Sequence, residues 1–135
     1  MRIIVCLDER EGMTFNRRRQ SRDRVVTADV LGMTGDRLWL SPYSAPLFEE
    51  AAEKLCVSEG FLDEADATDW CFVEDRKVAP YREKILEVVV YRWNRHYPSD
   101  TAFDLDLAAE GFHLVEREDL AGYSHEKITK ERFVK

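Results

Sequence analysis

Ile3-Ile4-Val5-Cys6-Leu7 is a continuous apolar run, closed by Asp8 and Glu9. A short run bounded by acids reads as a strand buried on both faces. Residues 9–20 are charged, contain Gly12 and show no clean period, so they read as a loop. Ser21 offers a helix N-cap, and Asp23 in the first turn suits the positive end of the helix dipole. Val25, Val26, Val30 and Leu31 fall on one helical face, which Gly32 or Gly35 ends. Arg37-Leu38-Trp39-Leu40-Ser41 is a second strand, and Ser44 caps a second helix carrying Pro46, Leu47, Phe48 and Ala51. The order strand, helix, strand, helix predicts an α/β domain with a parallel N-terminal βαβ unit.

The rest of the chain extends that sheet. Leu55 to Ser58 reads as another strand or as the helix end, and residues 61–69 as an acidic loop. Trp70-Cys71-Phe72-Val73 is a third strand, closed by Glu74 and Asp75. Residues 85–93, with Val88-Val89-Val90-Tyr91, carry the strongest strand signal, and Pro98 to Asp100 break it. Phe112 to Glu116 alternates loosely. Residues 126–134 read as an edge strand or as a helix capped by Ser124, and Ile128, Thr129, Phe133 and Val134 favour the strand. The prediction is a single α/β domain over 1–135, with a mixed sheet whose C-terminal strands are antiparallel.

Composition agrees. The 135 residues are 44% hydrophobic and 35% charged, which suits a packed core rather than a disordered chain. The net charge of −7 opposes a general nucleic-acid coat and attachment to an anionic membrane. No stretch approaches the roughly 20 apolar residues of a membrane span, and no signal-peptide pattern opens the chain. Cys6, Cys56 and Cys71 are far apart, odd in number and set in apolar runs. They read as reduced thiols, and the expected location is the cytoplasm.

Charge is unevenly spread. Residues 1–24 hold seven arginines against four acids, a net of +3, and residues 49–75 hold ten acids against one lysine, a net of −9. Arg17, Arg18, Arg19, Arg22 and Arg24 are all arginine rather than lysine. The planar guanidinium fork suits phosphate and carboxylate. This cluster lies between the first strand and the first helix, where free backbone N–H groups also favour an anion. The competing reading is an arginine loop that salt-bridges the acidic 49–75 segment.

In open α/β sheets ligands sit outside the carboxyl ends of the strands. Parallel first and second strands would bring Asp8, Asn16, Arg17 and Arg18 near Ser41, Tyr43 and Ser44, and Arg19, Gln20 and Ser21 of the same loop are further ligand-binding candidates. Asp8 with Glu74 or Asp75 could then hold Mg²⁺ beside a phosphate. His125, in a glycine-containing turn expected near the surface, is the best acid/base candidate among three scattered histidines. No G-x-x-x-x-G-K-[ST], G-x-G-x-x-G, G-x-S-x-G or H-E-x-x-H is present, and no zinc-type spacing.

Cys6-Leu7-Asp8, Gly12-Met13-Thr14-Phe15-Asn16-Arg17-Arg18-Arg19-Gln20-Ser21-Arg22-Asp23 and Gly122-Tyr123-Ser124-His125-Glu126-Lys127-Ile128-Thr129 resemble a family of short bacterial proteins sometimes labelled ribonuclease Z. Ribonuclease Z proper has a metallo-β-lactamase fold and an H-x-H-x-D-H zinc motif, which this chain lacks. The resemblance therefore implies no activity, but it draws both ends of the chain together. If they meet, Asn16, Arg18, Gln20, Ser124, His125 and Glu126 could form one site.

Two functional expectations follow. One is a domain that binds a phosphorylated small molecule or nucleotide through the arginine loop, with Asp8 or His125 performing any chemistry, as a hydrolase or transferase. The other is a non-enzymatic module that meets a protein partner through the arginine loop or the acidic segment. The sequence names no cofactor.

Overall fold

The computed structural model describes residues 1–135. Strand β1 (Arg2–Leu7) is the apolar run that opens the chain, and its residues are almost wholly buried. A hairpin follows, of β2 (Gly12–Phe15) and β3 (Arg18–Arg19), and then helix α1 (Arg24–Thr34). Next come β4 (Leu38–Leu40), 3₁₀ turns over Ala45–Lys54, and β5 (Leu55–Val57). Helix α2 (Phe61–Glu64) leads to β6 (Trp70–Phe72). The chain closes with 3₁₀ turns over Ala79–Lys84 and with β7 (Glu87–Arg92), β8 (Thr101–Ala102), β9 (His113–Leu120) and β10 (Ile128–Val134).

Seven strands form one sheet in the order β5-β4-β6-β1-β7-β10-β9. The five from β5 to β7 are parallel, and β10 and β9 add antiparallel. A mixed α/β sheet is therefore present, with its antiparallel part at the C-terminus. β1 and the second strand of the reading, β4, run parallel but are not neighbours, because β6 lies between them.

Alternation along β1 divides the core. Ile3, Val5 and Leu7 face Met13, Phe61, Val88 and Val90, whereas Ile4 faces α1 through Val26 and Val30, together with Phe48, Phe72 and Tyr91. Period-two side chains on a central strand give the sheet two apolar faces, each needing its own cover. Cys71 is buried, and Cys6 and Cys56 partly so. Burial pushes the Cys71 thiol up to about 12 and raises Cys6 and Cys56 as well, which holds these groups protonated.

Several local expectations are corrected. Residues 9–20 are not a loop: β2 and β3 pair Phe15 with Arg18 across a two-residue turn, Asn16-Arg17, both at positive φ (54° and 62°). That is the geometry of a tight hairpin turn, usually signalled by Asn-Gly. Ser21 does not cap α1. Asp23 does, its Oδ1 accepting from Val25 N at 2.9 Å. The second helix is 3₁₀, interrupted at Phe48 and Ala51, and residues 61–64 of the expected acidic loop form α2. His125 is not at the surface. It is 5% exposed, because its ring is drawn in beneath the turn that carries it.

Candidate functional site

The carboxyl ends of the parallel strands meet the β2–β3 hairpin along one edge of the sheet. Asp8 directly follows β1 and is 1% exposed. Its Oδ1 accepts from Arg10 N and Gly12 N, both at 2.8 Å, and its Oδ2 from Gln20 Nε2 at 2.9 Å and Tyr97 N at 3.4 Å. Burial alone would raise this carboxyl. The four donors outweigh it and hold Asp8 below the ordinary carboxylate range. Gly12 is required here, since a Cβ would come within 2.7 Å of Gln20 Nε2 and Ser99 Oγ.

Beside Asp8, Arg19 grips Glu74 with two bonds, Nε to Oε2 at 2.8 Å and Nη2 to Oε1 at 3.0 Å. Its guanidinium lies 4.6 Å from the Tyr43 ring centre, and its backbone N–H donates to Tyr43 OH at 2.9 Å. Ser44 Oγ donates to the same Glu74 Oε1 at 2.7 Å, and Ser41 Oγ lies 3.5 Å from Ser44 Oγ. Ser41, Tyr43 and Ser44 do come together with the arginine hairpin, through Glu74. They form a closed brace in which the charge of Arg19 is spent on a carboxylate. The competing reading of the arginine cluster thus holds for this one arginine. Asp8 and Glu74 both face donors rather than each other, and no three His, Cys, Asp or Glu side chains gather as metal ligands.

Outside that brace lies an open cleft of about 450 Å³, lined by Phe15, Asn16, Arg18, Arg19, Gln20, Tyr97 and Pro98. Arg18 is exposed here, and no carboxylate lies within salt-bridge distance of it. Arg17 projects from the hairpin tip, exposed, and Asn16 N donates to Asp100 Oδ2 at 3.0 Å.

Segments from the two ends of the chain meet at Asp23. Asp23 accepts from Tyr123 N at 2.9 Å, Ser124 N at 2.8 Å and Ser124 Oγ at 3.1 Å, besides its own helix. Its Oδ2 lies 2.9 Å from His125 Nδ1. Burial would raise the Asp23 carboxyl, but its donors, chiefly Tyr123 N–H and His125, hold it far below the usual range. A carboxylate can only accept, so in the neutral imidazole the proton belongs on Nδ1, and Nε2 is then the acceptor. Nε2 faces two hydroxyls, Ser21 Oγ and Tyr97 OH, each at 3.0 Å. The imidazole stacks on Trp93, centroids 4.8 Å apart and planes 23° from parallel. Tyr97 also lines the cleft, so the histidine network opens to it through that phenol.

Ser21, Ser124 and His125 are therefore in one cluster, which Tyr97 links to the cleft lined by Gln20 and Arg18. Glu126 is exposed and takes no part in it. Sequence reasoning missed Asp23 and Tyr97 as members, along with the cleft walls Phe15 and Pro98. The signal for Asp23 was present, since it ends the family-like stretch over 12–23 and His125 sits in the one over 122–129.

No family model and no curated protein sequence matches the chain. Among solved structures, it is similar to dihydrofolate reductase from Enterococcus faecalis complexed with NADP(H) and RAB-propyl, with a TM-score of 0.67 and 11% identity. The match covers 98% of this chain and 94% of the reductase. No helix is long and apolar enough to cross a membrane. The chain has the mixed α/β fold of that reductase over essentially its full length, and at this identity the likeness is one of fold.

Proposed function

We propose that this protein binds a phosphorylated small molecule or nucleotide in the cleft between the β2–β3 hairpin and Tyr97. One observation carries the reading: Arg18 stands exposed and without a carboxylate in a cleft that also offers aromatic faces, while its neighbour Arg19 is neutralised by Glu74. An unpaired guanidinium suits a phosphate, and Phe15 and Tyr97 suit an apolar or planar moiety. Asn16, Gln20 and Arg17 supply further polar groups at the rim. The reductase of similar fold is complexed with NADP(H), a phosphate-bearing dinucleotide, which supports testing that class first.

Asp8 serves in this reading as the scaffold that ties β1, Gln20 and Tyr97 together. Its lone pairs are occupied, so the chemistry falls to His125. Calorimetric titration of the protein with NADP(H), ATP and inorganic phosphate tests the proposal. Binding of one of them that Arg18→Ala abolishes supports it, and heat flat with all three overturns it.

A further inference from the structure

Ser21, His125 and Asp23 lie in the order nucleophile, base and orienting carboxylate. Ser21 Oγ is 3.0 Å from Nε2, and Nδ1 is 2.9 Å from Asp23 Oδ2. These are the separations that an activated serine requires. Three features make the arrangement more than a chance contact. Asp23 is fixed by backbone N–H groups from two distant segments, so its carboxylate cannot swing away. The imidazole is clamped flat on Trp93. Ser21 itself is only half-buried, so it is not sealed inside the fold as His125 is.

We propose that Ser21 is a nucleophile for acyl transfer, with His125 as its general base and Asp23 as the positioning residue. The substrate class is a carboxylic ester carrying a phosphate, the phosphate being held by Arg18. Only that last clause rests on the cleft reading above. In the first step Ser21 Oγ bonds to the acyl carbon as its proton passes to His125 Nε2. The ester C–O bond then breaks, and Nε2 returns the proton to the departing alkoxide. Water next attacks the acyl carbon and gives a proton to Nε2. The Oγ–C bond breaks, Oγ regains the proton, and a carboxylic acid and an alcohol are released.

The test is labelling of the full chain with a fluorophosphonate, which forms an Oγ–P bond and releases fluoride, followed by peptide mass spectrometry. The expected result is a single adduct on Ser21, absent in Ser21→Ala and slowed at least about 100-fold in His125→Gln, as loss of a general base predicts. The wild-type adduct is located by mass, so the test stands even if the histidine variant fails to fold. No adduct on the folded wild-type protein, or an adduct on Tyr97 instead, overturns the proposal. Labelling needs no phosphate. An adduct with a flat phosphate titration would keep the nucleophile and remove the cleft reading, and the reverse pattern would do the opposite.

Discussion

Asp23 Oδ2 and His125 Nδ1 lie 2.9 Å apart across 102 residues of sequence, and both side chains are buried. One carboxylate thus caps α1, anchors the 122–125 turn and orients the imidazole. Asp23→Ala removes an N-cap, worth about 1 kcal/mol, and strands two N–H groups and a histidine at about 1–3 kcal/mol each. The expected loss is at least about 3 kcal/mol by urea denaturation. A loss under about 1 kcal/mol would show that the turn is held by other contacts.

The same carboxylate makes stability depend on acid. Asp23, Asp8 and Asp69, the last just before β6 and accepting from Asp66 N, Arg37 and Trp39, all have carboxyl groups lowered in the folded protein, where hydrogen bonds outweigh the burial that would raise them. Groups of this kind contribute fully above the unfolded value of about 3.9, and the contribution is lost as pH falls through the lower folded values. Urea midpoints should be level from about pH 7 to 5 and should drop steeply below about pH 4. Equal midpoints at pH 5 and pH 3 would contradict the assignment.

The hairpin tip carries a correctable strain. Arg17 sits at φ 62°, a conformation that a side chain disfavours and glycine accepts. Arg17→Gly converts the turn to Asn-Gly and should raise stability by about 0.5–1 kcal/mol, read as a small rise in Tm. A fall would mean that the Arg17 side chain is itself part of the fold.

Neighbouring arginines should behave oppositely. Arg18→Ala should leave stability within about 0.5 kcal/mol, as an exposed position does. Arg19→Ala leaves Glu74, 9% exposed, without its paired cation and should cost about 2 kcal/mol. Thermal melts of the two variants side by side check this. Equal effects would contradict the division into a free and a spent arginine.

Gly122 approaches the His125 backbone carbonyl too closely for any Cβ, and one there would also meet Asp23 Oδ2 at 3.0 Å. Gly122→Ala should therefore destabilise by more than the roughly 1–3 kcal/mol typical of overpacking. Loss of the signal from Trp93 stacked on His125, followed by fluorescence, should accompany it. A normal melt with an unchanged spectrum would show that the turn has room to shift.

The sheet was legible where apolar runs were long. Ile3 to Leu7 and Val88 to Tyr91 form neighbouring central strands, and the acids or prolines beyond them mark their ends. The strand at Ile128 to Val134 was favoured by its β-branched and aromatic residues but not decided by them, because Ser124 also offered a helix cap. The β2–β3 hairpin was not, because its turn uses Asn-Arg, β3 is only two residues long, and β2 takes its other partner from β8, far along the chain. Ser21 and Asp23 are both good caps, and only the tertiary bonds to Tyr123 and Ser124 decide between them. The same bonds draw His125 inward, so a polar turn in sequence is a buried imidazole in the fold. The arginine hairpin does meet the residues that follow the carboxyl ends of the parallel strands, as the reading placed it. The division of its arginines into Arg19 for Glu74 and Arg18 for the cleft depends on which carboxylate lies within reach, which spacing cannot say.

The central claim is that the cleft around Arg18 takes a phosphorylated ligand. Its most direct test is a thermal-shift titration at low salt with NADP(H), other nucleotides and sugar phosphates, run on wild type and Arg18→Ala. A ligand at about 100 times its dissociation constant adds roughly 2.7 kcal/mol, which for a domain of this size is a rise of about 10 °C. The account predicts such a rise with one phosphate-bearing class and none in the variant. No rise with any of them, or an equal rise in both proteins, would contradict it and turn attention to a protein partner for the arginine hairpin.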